Sequence, residues 1–220
     1  MKTLFRAAAE LETLLSEQGW RYCFIGGIAL QRWGQPRLTN DVDLTLLTGF
    51  GNEAAYVDVL LKHYQARIPD GRDFALKHRV LLLRSPEGIP IDVALGGIAF
   101  EEQVVSRATR YEFLPDVSLL TCSAEDLIVL KAIADRPRDW GDVETIIARQ
   151  QAQLDWHYIF EQLEPLCQLK DAPEIVDRVR QLHRAAISQL EDRHRRGYEQ
   201  DPPHEGEFDV WDKEQAWPDS

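Results

Sequence analysis

The spacing of apolar positions divides this chain into a first part that mixes helix and strand and a second part that is helical. Leu4, Ala8, Leu11 and Leu15 recur on one face at helical spacing and predict a helix over 2–18, with Gly19 as its stop. Arg21–Ile25 reads as a short strand, Gly26-Gly27 as a tight turn and Ile28–Trp33 as a short helix, followed by a loop at Gln35-Pro36. The run Val42–Leu47 is apolar and reads as a central strand. Tyr56, Val57, Leu60, Leu61 and Tyr64 predict a further helix, and residues 66–78 show no clear period and read as irregular. Val80–Leu83 and Ile89–Leu95 predict two strands joined by the turn residues Ser85-Pro86-Glu87-Gly88, and Tyr111–Leu114 adds an edge strand.

The pattern changes near Thr121. Ser123 with Asp126 three residues on resembles a capping box and opens a helix to about Asp135, which Pro137 interrupts. Asp139 starts a second helix carrying Val143, Ile146 and Ile147. Asp155–Leu169 gives a third helix, and Pro173 to about Arg195 gives a fourth with Ile175, Val179, Leu182, Ala186 and Leu190 on one face. The expectation is an α+β protein: a small mixed-sheet core over 1–120, a helical bundle over 121–196 and an irregular acidic tail over 197–220, punctuated by Phe208, Trp211 and Trp217.

Composition narrows the function classes. Of 220 residues, 44% are apolar and 28% charged, an ordinary soluble balance, and no apolar run approaches the ~20 residues of a membrane span. Glu10 and Glu12 on an amphipathic N-terminal helix argue against a secretory signal, so a cytoplasmic location is expected. Cys23, Cys122 and Cys167 are scattered and form no C-x-x-C, which fits small buried hydrophobes. The net charge is −12, and the segment from Gly197 holds eight acids against one base. That balance disfavours non-specific nucleic-acid binding but leaves room for a local basic cleft. The tail aromatics read as anchors, with a nucleic-acid-mimicking tail as the sharper alternative.

The chemistry gathers in FIGGIALQRWGQPRLTNDVDLTL. Asp41 and Asp43, two apart along a strand, point to one side of it, and Asp92 sits within the apolar strand IPIDVAL. A carboxylate between Ile91 and Val93 is costly to bury without a partner. Three carboxylates brought together repel unless a cation lies between them, and Mg²⁺ or Mn²⁺ accepts such oxygen ligands alongside phosphate and water. Gly26 and Gly27 allow close approach of a phosphate to the backbone at a helix start, and Arg37 either offsets phosphate charge or pins its loop.

The order of these parts resembles the nucleotidyltransferase superfamily: Gly-Gly, a gap of thirteen residues, then Asp41-Val42-Asp43-Leu44, with Asp92 matching the third acid of a later strand. Two further segments look like AbiEii/AbiGii-type nucleotidyltransferases, the toxin half of bacterial abortive-infection and toxin–antitoxin pairs. One is R-x-T-x-D-x-D at Arg37, Thr39, Asp41 and Asp43; the other is EDLIVLKAIADRPRDWGDV, with Lys131, Arg136, Asp139 and Asp142. The resemblance implies Asp41, Asp43 and Asp92 as metal-holding catalytic acids. It implies a nucleotide site of Gly26, Gly27, Arg37, Thr39 and Lys131, with Asp139 or Asp142 orienting the nucleotide or acceptor. The reaction implied is Mg²⁺-dependent transfer of an NMP from an NTP to an acceptor hydroxyl, with an antitoxin protein as partner. The acceptor stays open among RNA such as a tRNA end, a small molecule as in antibiotic-modifying relatives, and a protein side chain. The rival is a non-catalytic nucleotide-binding module. Lys131 also reads as a solvated helix residue, and Asp139 as an N-cap.

Overall fold

In the computed structural model, which describes residues 1–200, the expected central strand is the middle of a seven-stranded sheet. In chain order the elements are α1 (Lys2–Glu17), β1 (Tyr22–Phe24), α2 (Gly26–Trp33), β2 (Val42–Leu47), α3 (Glu53–His63), β3 (Gln65–Ala66), α4 (Gly71–His78), β4 (Val80–Arg84), β5 (Pro90–Gly96), α5 (Ala99–Ser106), β6 (Thr109–Leu114), β7 (Val117–Thr121), α6 (Ala124–Ala134), α7 (Pro137–Gln150), α8 (Trp156–Lys170) and α9 (Pro173–Gln200). The strand order is β3-β4-β5-β2-β1-β7-β6. β2 lies parallel to β5 and antiparallel to β1, so the sheet is mixed.

Strand alternation decides where the acids go. Val42, Leu44 and Leu46 of β2, Ile91, Val93 and Leu95 of β5, and Leu81 and Leu83 of β4 are buried in one apolar core with Leu4, Leu11 and Leu15 of α1, Val57 and Leu60 of α3, and Ala75 of α4. The intervening positions, Asp43 and Asp92 among them, project from the opposite face. The two acids are direct register partners on β2 and β5, with Leu82 of β4 next in the same row. β5 is flanked on both sides, so Asp92 is no strand-edge acid.

The predicted helix over 2–18, the strands at 42–47, 80–83 and 89–95, and the Ser85–Gly88 turn all form. The reading of 66–78 as irregular is wrong: α4 occupies most of it. That helix buries only Gly71 and Ala75, too little for an apolar stripe, and left-handed residues Asp70 (φ 53°) and Arg79 (φ 57°) flank it. α5 and β7 were not foreseen. α7 starts at Pro137, with Arg136 rather than Asp139 as the N-cap. The described residues form two compact units, Met1–Val179 and a second from Arg180 onwards. α9 continues past Arg195 to Gln200, and the rest of the expected irregular tail, with Phe208, Trp211 and Trp217, lies outside the described residues. Among the described residues no helix is long and apolar enough to cross a membrane. The three cysteines are buried and free.

Candidate active site

The short β1 delivers the chain to Ile25, whose N–H donates to the Asp43 carbonyl at 2.9 Å. Gly26 follows at φ +55°, the left-handed turn that starts α2. What makes glycine necessary here is the protein's own side chains. A Cβ on Gly26 would lie 2.1 Å from Asp43 Oδ2, and one on Gly27 would lie 2.1 Å from Thr39 Oγ1. The Gly27 N–H faces Asp43 Oδ2 at 3.5 Å, a long contact on the hydrogen-bond limit.

After α2 the chain crosses a loop to β2, and α7 pins that loop. Thr145 Oγ1 accepts from the Gln35 N–H at 3.2 Å, and Arg149 donates to the Gly34 carbonyl. The Arg37 guanidinium makes a two-pronged pair with Asp142 at 2.8 and 2.7 Å, while Gln31 donates to the Arg37 carbonyl at 2.6 Å. Arg37 therefore pins its loop and also lines the cleft. Thr39 is buried, and its hydroxyl donates to Asp41 Oδ1 at 2.8 Å, fixing the first acid.

Lys131 is buried, not a solvated helix residue. Its ammonium pairs with Asp139 at 3.0 Å and Asp142 at 2.7 Å. Arg136 also pairs with Asp139. Burial opposes ionisation of both acids, but donors from Arg136 and Lys131 hold Asp139 below the usual carboxylate range, and donors from Arg37 and Lys131 do the same for Asp142. α6 and α7 are thus tied by an ionic group that also reaches the loop before β2.

Gly26, Gly27, Arg37, Thr39, Asp41, Asp43, Asp92, Lys131 and Asp139 line one cleft of about 360 Å³, together with Arg136 and Arg138. Asp142 lies behind this wall, bracing Lys131 and Arg37. Two neighbours of the acids were not singled out as site residues from the sequence. Arg138 is exposed at the cleft and donates to the Leu38 carbonyl at 3.4 Å. Arg67, just past β3, pairs with Asp92. No periodicity marks either residue, although Arg138 lies within the second quoted segment.

The acids carry the strain of their proximity. Burial, reinforced by Asp41 and Asp92, pushes the Asp43 carboxyl up to about 6 against the pull of the Gly27 N–H and Lys131. Asp92 is raised as well, by burial first, with Arg67 pulling the other way and Asp41 adding to the rise. Among the described residues no three His, Cys, Asp or Glu side chains stand in a preformed metal-binding group. The hydrogen bonds give the physical reason: Asp41 is turned to Thr39 and Asp92 to Arg67. The donor set still suits a hard dication, because it is all carboxylate, converges on one cleft and includes an acid, Asp43, whose ionisation burial and its acidic neighbours oppose.

A model of the family described as nucleotidyl transferase AbiEii toxin, type IV toxin–antitoxin system, matches residues 11–216. No curated protein sequence matches the chain significantly. Among solved structures, it is similar to an antigenic nucleotidyltransferase-like protein from Paracoccidioides brasiliensis, at 17% identity and a TM-score of 0.47 over 79% of this chain and 90% of that one. It is also similar to the lincosamide antibiotic adenylyltransferase LnuA bound to lincomycin, at 12% identity and a TM-score of 0.45 over 64% of this chain and 94% of that one.

Proposed function

Because the chain belongs to the AbiEii nucleotidyltransferase toxin family, we propose that its cleft transfers an NMP from an NTP to an acceptor hydroxyl with release of pyrophosphate, in a divalent-cation-dependent reaction. One observation carries the reading: Asp43 and Asp92 stand side by side on β2 and β5, with Asp41 beside them, in a cleft whose other walls are the Gly26-Gly27 turn and the cations Arg37, Lys131, Arg136 and Arg138.

Asp41, Asp43 and Asp92 would hold Mg²⁺ or Mn²⁺, which when bound would relieve the carboxylate repulsion and stabilise charge on the attacking and leaving oxygens. The rest of the work falls to the chain's own groups. The helix start at Gly26 and Gly27 offers N–H groups to phosphate. Thr39 holds Asp41 in orientation. Lys131, braced by Asp139 and Asp142, presents a fixed positive charge to the triphosphate, and the exposed Arg136 and Arg138 extend that field to the cleft mouth. Asp92, placed beside Asp43 in the cleft, would take the proton of the attacking hydroxyl or lower its pKa.

In this scheme residues 1–120 form the catalytic core, and the helical part over 121–196 supplies Lys131, Asp139 and Asp142 to it. The family's place in toxin–antitoxin pairs supports an antitoxin protein as partner, and RNA, such as a tRNA end, is the acceptor to test first. The test is incubation of purified protein with Mg²⁺, each labelled NTP and total RNA, with an Asp41→Ala control. Label on RNA with pyrophosphate release, lost in the control, is the expected result. Transfer only to protein or to small acceptors replaces the acceptor assignment. NTP binding with no transfer to any acceptor makes the protein a nucleotide-binding module and removes the enzymatic reading.

A further inference from the structure

Each of the three acids on and beside the central strands has its own partner. Asp41 receives the Thr39 hydroxyl, Asp43 faces the Gly27 N–H, and Asp92 receives the Arg67 guanidinium. Only the last of these three is charged. The pairing follows from sheet register. The Arg67 N–H donates to the Leu82 carbonyl at 2.9 Å, continuing the β3–β4 ladder by one residue. Leu82 is the register partner of Asp92, and Asp92 of Asp43. Arg67, Leu82, Asp92 and Asp43 therefore form one row across four neighbouring strand paths. Arg67 reaches over Leu82 to the third acid.

The pair is not a saturated structural clamp. Arg67 Nε is buried with no hydrogen-bond partner, the one such side-chain nitrogen or oxygen among the described residues. A structural arginine ordinarily satisfies more of its five N–H donors. The side chains stay partly open, at 22% exposure for Arg67 and 36% for Asp92, so the contact can be exchanged.

We propose that Arg67 is a positioning residue that holds Asp92 in place of the divalent cation and must release it when the cation enters, which sets the cation affinity of the cleft. This inference rests on the reading of Asp92 as a metal-holding acid. It assigns Arg67 a role through Asp92, with no direct contact to substrate required. A partly exposed ion pair of this kind corresponds to about two- to fivefold in affinity.

The experiment is titration of the full chain with Mn²⁺ alone, followed by calorimetry, for wild type, Arg67→Met, Arg67→Lys, Asp92→Asn and the double variant Arg67→Met/Asp92→Asn. Arg67→Met is expected to bind Mn²⁺ about two- to fivefold more tightly than wild type, and Arg67→Lys to stay near wild type. In the Asp92→Asn background, Arg67→Met is expected to change affinity by less than about 1.5-fold, since the residue through which it acts is gone. Arg67→Gln carries the same expectation as Arg67→Met should the latter melt early. Unchanged or weaker Mn²⁺ binding in a folded Arg67→Met variant overturns the proposal. Equal tightening with and without Asp92 also overturns it, because that is a general field effect. Absence of Mn²⁺ binding in wild type instead sinks the metal-holding reading beneath it, so the two failures are separable.

Discussion

Asp43→Asn separates what the carboxylate does for the reaction from what it does to the fold. Asn keeps the size and shape of the side chain and its oxygen still faces the Gly27 N–H, but it cannot ionise. In the metal-free protein Asp43 titrates at about 6 instead of its ordinary 3.8, first because it is buried and then because Asp41 and Asp92 repel its charge. The folded chain thus holds this proton more tightly than the unfolded chain does. The contribution of this one carboxyl to stability falls as pH rises through the window from 3.8 to about 6 and is constant above it. At about 1.4 kcal/mol per pH unit of that window, the ionised carboxylate costs about 3 kcal/mol at neutral pH. For a chain of this size that corresponds to a melting point higher by roughly 6–12 °C in the Asn variant. Urea and thermal denaturation in chelator, from pH 3.5 to 7.5, read this directly. The two proteins should coincide near pH 3.5, diverge through the window and run parallel above it, with Asn the more stable. Mg²⁺ should stabilise wild type and leave the variant nearly unmoved, and the variant should transfer no nucleotide. A variant that is equally or less stable at pH 7.5, or a gap that does not change with pH, refutes the account of a strained, uncompensated acid.

Gly27→Ala places a methyl group 2.1 Å from Thr39 Oγ1 and so should break the Thr39–Asp41 hydrogen bond, lowering kcat more than tenfold as an order of magnitude while secondary structure by circular dichroism is kept. Lys131→Met leaves Asp139 and Asp142 buried with fewer counter-charges and should cost about 3 kcal/mol in urea denaturation, apart from any loss of activity. Arg138→Ala should leave the melting point within a degree or two, since the side chain is exposed and touches one carbonyl. If its charge serves the triphosphate, initial-rate kinetics will show a raised KM for the NTP; an unchanged KM removes it from the nucleotide site.

Much of the cleft was legible because its acids interrupt apolar strands. Asp43 inside VDLTLL and Asp92 inside IPIDVAL stand out against neighbours that must be buried, and alternation alone puts each on the face away from those neighbours. The register that makes them adjacent, Asp43 beside Asp92, depends on a parallel pairing that no local signal fixes. Arg67 was invisible for the same reason carried further. Its place follows from a two-residue strand, β3, whose pairing with β4 extends the row of acids by two strand positions. α4 escaped because it buries so little, and of the two readings of Asp139 the N-cap fails because the helix already starts at Pro137 and the carboxylate turns to Lys131 and Arg136. The glycine pair is the most instructive case. Its meaning from sequence was room for a phosphate, yet the space above Gly26 and Gly27 is taken first by Asp43 and Thr39. The turn is bare so that Asp43 and the Thr39 that holds Asp41 can pack against it, and a phosphate lying on that turn would then lie beside those acids. One steric requirement therefore serves both the turn and the carboxylates, so Gly-Gly and Asp-x-Asp are two halves of a single device.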